Sequence, residues 1–110
     1  MTEFDELKSE LREFNEERDW DQFHSPENLA KSVAIEAGEL LECFQWDDSY
    51  NTGEVSDEIA DVMMYCFMLA DKIDIDLKGE ILRKLEENKK KYPVDKCRGK
   101  SDKYDKLDVE

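Results

Sequence analysis

The sequence has few of the residues that interrupt helices. Its 110 residues include only four glycines and two prolines. Glycine and proline are the strongest local breaks in regular structure, so their scarcity allows long helices. The strict alternation of apolar and polar residues that marks a half-buried strand does not persist anywhere along the chain. We therefore expect an all-α fold.

Positive charge is also scarce. Lysine and arginine together number 16 against 30 aspartates and glutamates, which gives a net charge of −14 at pH 7. Proteins that bind DNA or RNA without sequence preference depend on lysine and arginine to neutralise phosphates. The composition therefore argues against a nucleic-acid partner. It still allows a small phosphate-bearing ligand, because a bound divalent cation reverses the local sign of the charge.

Histidine and cysteine are too few and too scattered for several common sites. The chain has one histidine, His24, and three cysteines, Cys43, Cys66 and Cys97, without any zinc-type spacing. It also lacks a phosphate-binding glycine loop and the glycine elbow of a serine nucleophile. Two of the cysteines fall in apolar helical patterns, where a free cysteine behaves as a small hydrophobe. We expect reduced cysteines in a cytoplasmic protein.

Long apolar runs are absent as well. No run approaches the ~18 residues that a membrane-spanning helix needs, and the N-terminal segment is too charged for a secretory signal. We therefore expect no membrane partner. The apolar residues instead recur at helical spacing, and this periodicity predicts four helices.

Capping residues indicate where these helices begin and end. The predicted positions are a start near Thr2, a start at Ser25-Pro26, a helix from about Glu54 to Ile73, and a fourth helix capped by Asp74 or Asp76 and ended by Tyr92-Pro93. Residues 1–93 then form one helical domain. Residues 94–110 are mostly charged and without a sustained period, so we expect a loop or partly disordered tail.

Two pairs of acids lie within the apolar helices, Glu36-x-x-Glu39 and Glu58-x-x-Asp61. Acidic helix faces are usually solvated surface, but Glu36 falls in the middle of an apolar stripe and Glu58 borders another. A carboxylate in an apolar face is costly unless it is paired or bound to a cation. Residues three apart are neighbours on a helix, so two such helices packed antiparallel would direct four carboxylates at one space. That environment suits Mg²⁺, with Mn²⁺ as a substitute.

Aromatic and basic residues near these helices allow two interpretations. Trp20, His24 and Trp46 lie at the ends of the helices that flank the first acid pair. They are either packing residues or a wall on which a nucleobase stacks beside a metal–phosphate site. The run Lys89-Lys90-Lys91 is either a solvated last helical turn, where cations suit the helix dipole, or a phosphate clamp.

Several short motifs occur together and carry more information than any one of them. They are Arg18-Asp19-Trp20, Phe23-His24, Pro26, Asn28-Leu29, Glu36-x-x-Glu39-Leu40-x-Glu42-x-Phe44-Gln45-Trp46, Glu58-x-x-Asp61-Val62-x-x-Tyr65, Asn88-x-x-Lys91-Tyr92-Pro93 and Gly99-Lys100-x-x-Lys103-Tyr104-x-x-Leu107. In this combination, over roughly residues 4–107, the chain resembles the MazG-like nucleoside triphosphate pyrophosphohydrolases. The compact, single-domain branch that includes the dCTP pyrophosphatases is the most similar.

The resemblance implies a four-helix, all-α fold that oligomerises through helix-bundle packing, as a dimer at least and more often a tetramer. It also implies Mg²⁺-dependent hydrolysis of a nucleoside triphosphate between the α- and β-phosphates, which removes unwanted deoxynucleotides from the precursor pool. The positions that match the family's metal-binding acids are Glu36, Glu39, Glu58 and Asp61. Glu36 or Glu39 would also activate the attacking water. The positions that match the family's nucleotide pocket are Trp20, His24, Trp46, Tyr65 and Asn88, with Lys91 facing the phosphates.

The substrate is left open by one departure from the family pattern. Leu11 stands where some dCTP-preferring relatives carry a histidine, so the substrate is dCTP or a modified deoxynucleotide, or else dUTP or phosphoribosyl-ATP. A non-enzymatic alternative is a helical dimerisation or regulatory module whose acid sites have decayed. The presence of all four acids argues against that decay.

Overall fold

The computed structural model describes residues 2–46 and 49–101, and within these ranges it contains helices and no strand. The elements are α1 (Glu3–Glu17), a 3₁₀ turn (Asp21–Phe23), α2 (Pro26–Glu42), α3 (Thr52–Lys72), α4 (Leu77–Lys91) and α5 (Val94–Cys97). The predicted all-α class is confirmed. None of the helices described is both long enough and apolar enough to cross a bilayer.

The first two helices begin where the sequence predicts, because local side chains cap them. Thr2 accepts a hydrogen bond from the backbone N–H of Asp5, and the Asp5 carboxylate accepts one from the N–H of Thr2, which completes a capping box. Ser25 accepts from the N–H of Asn28, with Pro26 in the first turn. Caps of this kind contribute about 1 kcal/mol each to stability.

Helix α3 begins two residues before the predicted start at Glu54. The side chain of Asn51 accepts a hydrogen bond from the N–H of Glu54, so Asn51 is the N-cap. The helix ends at Lys72, and the chain then turns through Asp74, whose φ of 62° lies in the left-handed region. Aspartate is one of the few residues besides glycine that enter this region readily.

The chain divides into two compact units, and the first comprises residues 1–76 with α1, α2 and α3. Its most extensive packing is between α2 and α3. Leu29, Phe67 and Ala70 form its buried apolar centre. The ring of Phe4 on α1 packs 5.1 Å from that of Phe67, measured between centroids. These contacts hold α1 and α2 against the side of α3 that carries Phe67.

The second unit, residues 77–110, contains α4 and α5. Helix α4 starts at Leu77, directly after Asp76, one of the two residues expected to cap it. The short helix α5 occupies part of the segment expected to be a loop. The rest of that expected tail, residues 102–110, lies outside the described residues. The division into a domain of residues 1–93 and a tail of residues 94–110 stays a prediction.

Many apolar side chains of α2 and α3 are exposed. Ile35 is 61% exposed and Leu41 is 70% exposed on α2, while Ile59 and Met63 on α3 are each more than two-fifths exposed. Contiguous apolar surface on a small protein usually marks an interaction face. The first unit therefore leaves several large apolar side chains uncovered within a single chain.

Candidate metal and nucleotide site

The pairing of α2 with α3 brings three acids together. One carboxylate oxygen from each of Glu36, Glu58 and Asp61 lies within 4.8 Å of the others, and all three side chains are half-buried. Glu36 shares a cleft with Asp61, whereas Glu39 shares a separate depression with Glu58. The residue numbers of these pairs rise along α2, from 36 to 39, while they fall along α3, from 61 to 58. The two helices therefore run antiparallel, as the sequence predicts.

Two oxygens of this three-acid cluster lack a partner. Oε2 of Glu36 and Oε2 of Glu58 are buried and accept no hydrogen bond from any described residue. A carboxylate oxygen removed from water without a donor or a positive charge is costly. A group that carries positive charge would remove this cost for both oxygens at once.

The pKa values show the same crowding of negative charge. The pKa of Glu36 is raised to about 7, first by its hydrogen bond with Glu39, then by burial and by the charges of Glu39, Asp61 and Glu58. The pKa of Glu58 is also raised, mainly by burial and then by the charge of Glu39. Both shifts mean that the ionised cluster is unfavourable without a cation.

Glu39 lies beside the three-acid cluster rather than within it. It interacts with Glu36 and Glu58, and it lines a depression of about 630 Å³ that is separate from the cleft of Asp61. The other residues that line this depression are Glu42, Cys43, Gln45, Trp46, Glu54 and Glu58. Glu39 is therefore close enough to act on the same ligand from the side.

The donor set fits a hard divalent cation. All the donors are carboxylate oxygens, which Mg²⁺ and Mn²⁺ prefer, whereas zinc sites are built mainly from cysteine and histidine. The orphaned oxygens of Glu36 and Glu58 supply the independent reason to place a cation here.

An aromatic cleft of about 590 Å³ opens beside the acids. Trp20, His24 and Tyr65 line it together with Glu36 and Asp61, so the structure brings three of the predicted nucleotide-pocket residues to the cluster. Its remaining lining residues are Glu10, Leu11, Phe14, Asn15, Met64 and Met68. The indole of Trp20 meets the ring of Phe14 edge to face, with centroids 5.6 Å apart, and it is 46% exposed.

Trp46 lines the other depression of the first unit, and the two remaining predicted pocket residues stand on α4. Trp46 is 86% exposed and lines the depression of Glu39, not the aromatic cleft. Asn88 and Lys91 belong to the second unit. There the ammonium group of Lys91 lies 3.2 Å from a carboxylate oxygen of Glu87, one turn earlier on α4.

Asn15 also lines the aromatic cleft, and the sequence interpretation missed it. It stands in the acidic stretch at the end of α1, where it reads as another surface residue. Its spacing of four from Leu11 places it on the apolar stripe of that helix. A polar residue on an apolar stripe was the signal available, and it is the signal that identified Glu36.

Sequence comparisons identify the family of the chain. The chain belongs to the MazG-like family, whose model matches residues 31–107. It is similar to dCTP pyrophosphatase 1 of Rattus norvegicus and of Homo sapiens, at 37% identity to each, with 86% of this chain and 62% of the relative covered. The chain thus spans about three fifths of the length of these curated relatives.

A solved structure supports the fold over most of this chain. The crystal structure of a pyrophosphatase from Archaeoglobus fulgidus superposes with a TM-score of 0.78 at 42% identity. The match covers 84% of this chain and 94% of that one. The family assignment made from the sequence motifs is therefore confirmed.

Proposed function

We propose that the chain is a Mg²⁺-dependent nucleoside triphosphate pyrophosphohydrolase acting on dCTP or a modified deoxynucleotide. It cleaves between the α- and β-phosphates and releases a nucleoside monophosphate and pyrophosphate. The observation that carries the proposal is the cluster of Glu36, Glu58 and Asp61 at the edge of an aromatic cleft. The names of the similar proteins, dCTP pyrophosphatase 1 and a pyrophosphatase, support the reaction class and the base.

The four acids of α2 and α3 would hold Mg²⁺, with Glu39 completing the set from the side. Once bound, the ion neutralises the triphosphate and stabilises the charge that develops on the leaving pyrophosphate. Of the two acids expected to activate water, Glu39 is the better placed, because it borders the three-acid cluster without belonging to it. A carboxylate in that position takes a proton from the attacking water and needs no covalent intermediate.

The aromatic cleft would hold the nucleoside. Trp20 offers an exposed indole face, and His24 and Tyr65 line the same space as the acids. Trp46, Asn88 and Lys91 remain proposed nucleotide contacts on the basis of the family motifs. Stacking a base on an aromatic side chain contributes ~1–3 kcal/mol, which is enough to determine KM.

A nucleotide panel with product identification tests the reaction. With Mg²⁺, we expect the monophosphate and pyrophosphate from dCTP, and loss of both products in Glu39→Gln and Asp61→Asn. Glu27→Gln, an acid in the first turn of the same helix α2, is the matched control and should remain active. Full activity in EDTA, or release of orthophosphate instead of pyrophosphate, would contradict the proposal.

The same panel separates the alternatives. Preferential turnover of dUTP or phosphoribosyl-ATP would replace the proposed substrate without changing the reaction class. Failure to hydrolyse any nucleotide, together with failure to bind Mg²⁺, would favour a helical dimerisation or regulatory module. The unpaired buried oxygens of Glu36 and Glu58 argue against that outcome, because they are costly and a site without function gains nothing from them.

Tryptophan variants test the pocket. Trp20→Ala and Trp46→Ala should each raise KM about 10-fold or more, because a stacking partner is removed, with a smaller effect on kcat. Phe23→Ala, an exposed aromatic residue of the neighbouring 3₁₀ turn, is the control. Unchanged KM for every nucleotide in both tryptophan variants would make them packing residues.

We also propose that the chain assembles as a dimer at least and as a tetramer at higher order. The exposed apolar side chains of α2 and α3, including Ile35, Leu41 and Ile59, support an interface between copies. Light scattering at micromolar concentration tests this, and a stable monomer would refute it. The three free cysteines support a reducing compartment such as the cytoplasm.

A further inference from the structure

Asn15 on α1 is the buried polar side chain of the described residues, at 6% exposure. Its backbone carbonyl accepts the N–H of Trp20 at 3.0 Å, but its side-chain oxygen Oδ1 accepts no hydrogen bond from any described residue. A buried acceptor without a donor carries the full cost of its lost hydration. The expected reason to keep such a group is a donor that a ligand supplies.

The side chain of Asn15 lies in a wall shared by two clefts. One is the aromatic cleft, and the other is a smaller cleft of about 280 Å³. The cations of the smaller cleft are already paired with acids: Arg12 donates to Asp71 at 2.6 Å, and Lys72 to Asp21 at 2.9 Å. These two cations are therefore engaged, and the remaining candidate donor is a ligand in the aromatic cleft, where the nucleoside is proposed to bind.

The position of Asn15 within the aromatic cleft matches the base end of a nucleotide. The acids mark the proposed phosphate end, whereas Asn15 lines the same cleft as Trp20, the residue on which a base would stack, and its backbone carbonyl accepts the backbone N–H of Trp20. The other residues of the shared wall are His24 and the apolar residues Leu11 and Met68, so Asn15 supplies the amide oxygen of this wall. Asn15 is thus suited to contact the edge of the stacked ring.

A hydrogen-bond acceptor in the protein distinguishes cytosine from thymine and uracil. Cytosine carries an amino group at C4 that donates hydrogen bonds, whereas thymine and uracil carry a carbonyl oxygen there that only accepts. We propose that Asn15 is a specificity-determining residue that accepts a hydrogen bond from the 4-amino group of a cytosine-type base. This inference rests on the proposed function and adds the physical basis of its base preference.

The test combines a change in the protein with a change in the substrate. The wild type and Asn15→Leu are each assayed with dCTP and with the 2-pyrimidinone analogue, in which hydrogen replaces the 4-amino group. We expect the wild type to lose about 10-fold in kcat/KM with the analogue, the value of one net hydrogen bond. Asn15→Leu should treat the two substrates nearly alike, because it has no acceptor to satisfy.

A purely structural role for Asn15 predicts that the ratio between the two substrates is unchanged in its variants. Leucine has nearly the shape of asparagine, and replacing an unsatisfied acceptor by an apolar group keeps or raises the melting temperature. Asn15→Ala repeats the assay with a smaller side chain, in case the leucine variant does not fold. Met68→Leu, a volume-conserving change in the same wall, should keep the wild-type ratio between the two substrates.

The outcomes separate the two proposals. If the wild type releases pyrophosphate but its ratio between dCTP and the analogue is unchanged in both Asn15 variants, the role of Asn15 is refuted and the enzyme stands. If the wild type releases pyrophosphate from no nucleotide, both proposals fail. A loss of discrimination confined to the Asn15 variants supports the assignment.

Discussion

Glu58 on α3 and Glu87 on α4 are the same residue type on regular helices, yet their pKa values move in opposite directions. The pKa of Glu87 is lowered, mainly by hydrogen bonds from Lys91 and Lys84. The pKa of Glu58 is raised, mainly by burial and then by the charge of Glu39. The difference lies in the partners: cations one turn away on α4, and acids around Glu58.

This contrast shows how an acid-rich sequence can hide a site. On α4, Glu80 and Glu87 both pair with Arg83 at spacings of three and four, the usual pattern of a solvated helix surface. On α2 and α3 the same spacing of three places acids against acids. The motif alone therefore does not identify a site, and the charge of the neighbouring side chains, on the same helix or on a facing one, decides.

The largest expected effect is on catalysis. Asp61→Asn should lower kcat for dCTP hydrolysis by about 100-fold or more, because it removes a ligand that positions the charge-stabilising cation. Glu80→Gln, which removes an acid from α4, should keep wild-type activity. Equal loss in the two variants, or in neither, would remove the distinction between the two sets of acids.

Stability without metal should respond with opposite signs. In EDTA at pH 8, Glu58→Gln should raise the melting temperature, because it removes a charge that burial and Glu39 disfavour. Glu87→Gln should lower it by about 2 °C, because it loses exposed ion pairs. Added Mg²⁺ should stabilise the wild type more than Glu58→Gln, so that the wild type then has the higher melting temperature of the two. Thermal melting with and without the metal measures both effects.

The pH dependence of metal-free stability follows from the raised pKa of Glu36, about 7 against an ordinary 4.5. Between these values the folded protein holds a proton that the unfolded chain has released, so this group makes the free energy of unfolding fall as pH rises. Below about 4.5 its contribution is fully present, and above about 7 it is lost. Denaturant titrations in EDTA should show this slope in the wild type.

The control for the pH experiment is Glu36→Gln. Subtracting its pH profile removes the contributions of the other carboxylates, including Glu87 and Asp5, whose lowered pKa values act in the opposite direction. The difference between the two profiles should fall across pH 4.5 to 7. A flat difference would show that Glu36 does not hold the extra proton.

The smallest effect is expected on the surface of α4. Arg83→Ala breaks the pairs with Glu80 and Glu87, and exposed pairs of this kind are screened by salt. The melting temperature should fall by no more than about 2 °C and by less in 0.5 M salt. A loss as large as that from a core truncation would mean that these ion pairs are more than a solvated surface.

Local chemistry made much of the fold predictable. The caps at Thr2 and Ser25 act over three residues, so the starts of α1 and α2 could be predicted without any tertiary information. The start of α3 was predicted two residues late, because Asn51 resembles a loop residue until its bond to Glu54 is seen. Helix α5 has four residues, too few for a period to show.

The candidate site depends on facing helices, and for that reason it was less predictable. The position of Glu36 in an apolar stripe indicated an interior acid, and the structure places it in the three-acid cluster. The same reasoning could not show that Glu39 would lie beside that cluster or that Trp46 would line a different depression. Both depend on the register between α2 and α3, which no single helix encodes.

The most direct test of the account is a calorimetric titration of the ligand-free protein with Mg²⁺ at pH 7, in two buffers of different ionisation enthalpy. We expect saturable binding by the wild type with release of protons, because Glu36 must give up its proton to become a ligand. The double variant Glu36→Gln with Asp61→Asn should show neither heat nor proton release. Absence of binding by the wild type, or identical curves for the two proteins, would contradict the claim that these acids form a cation site.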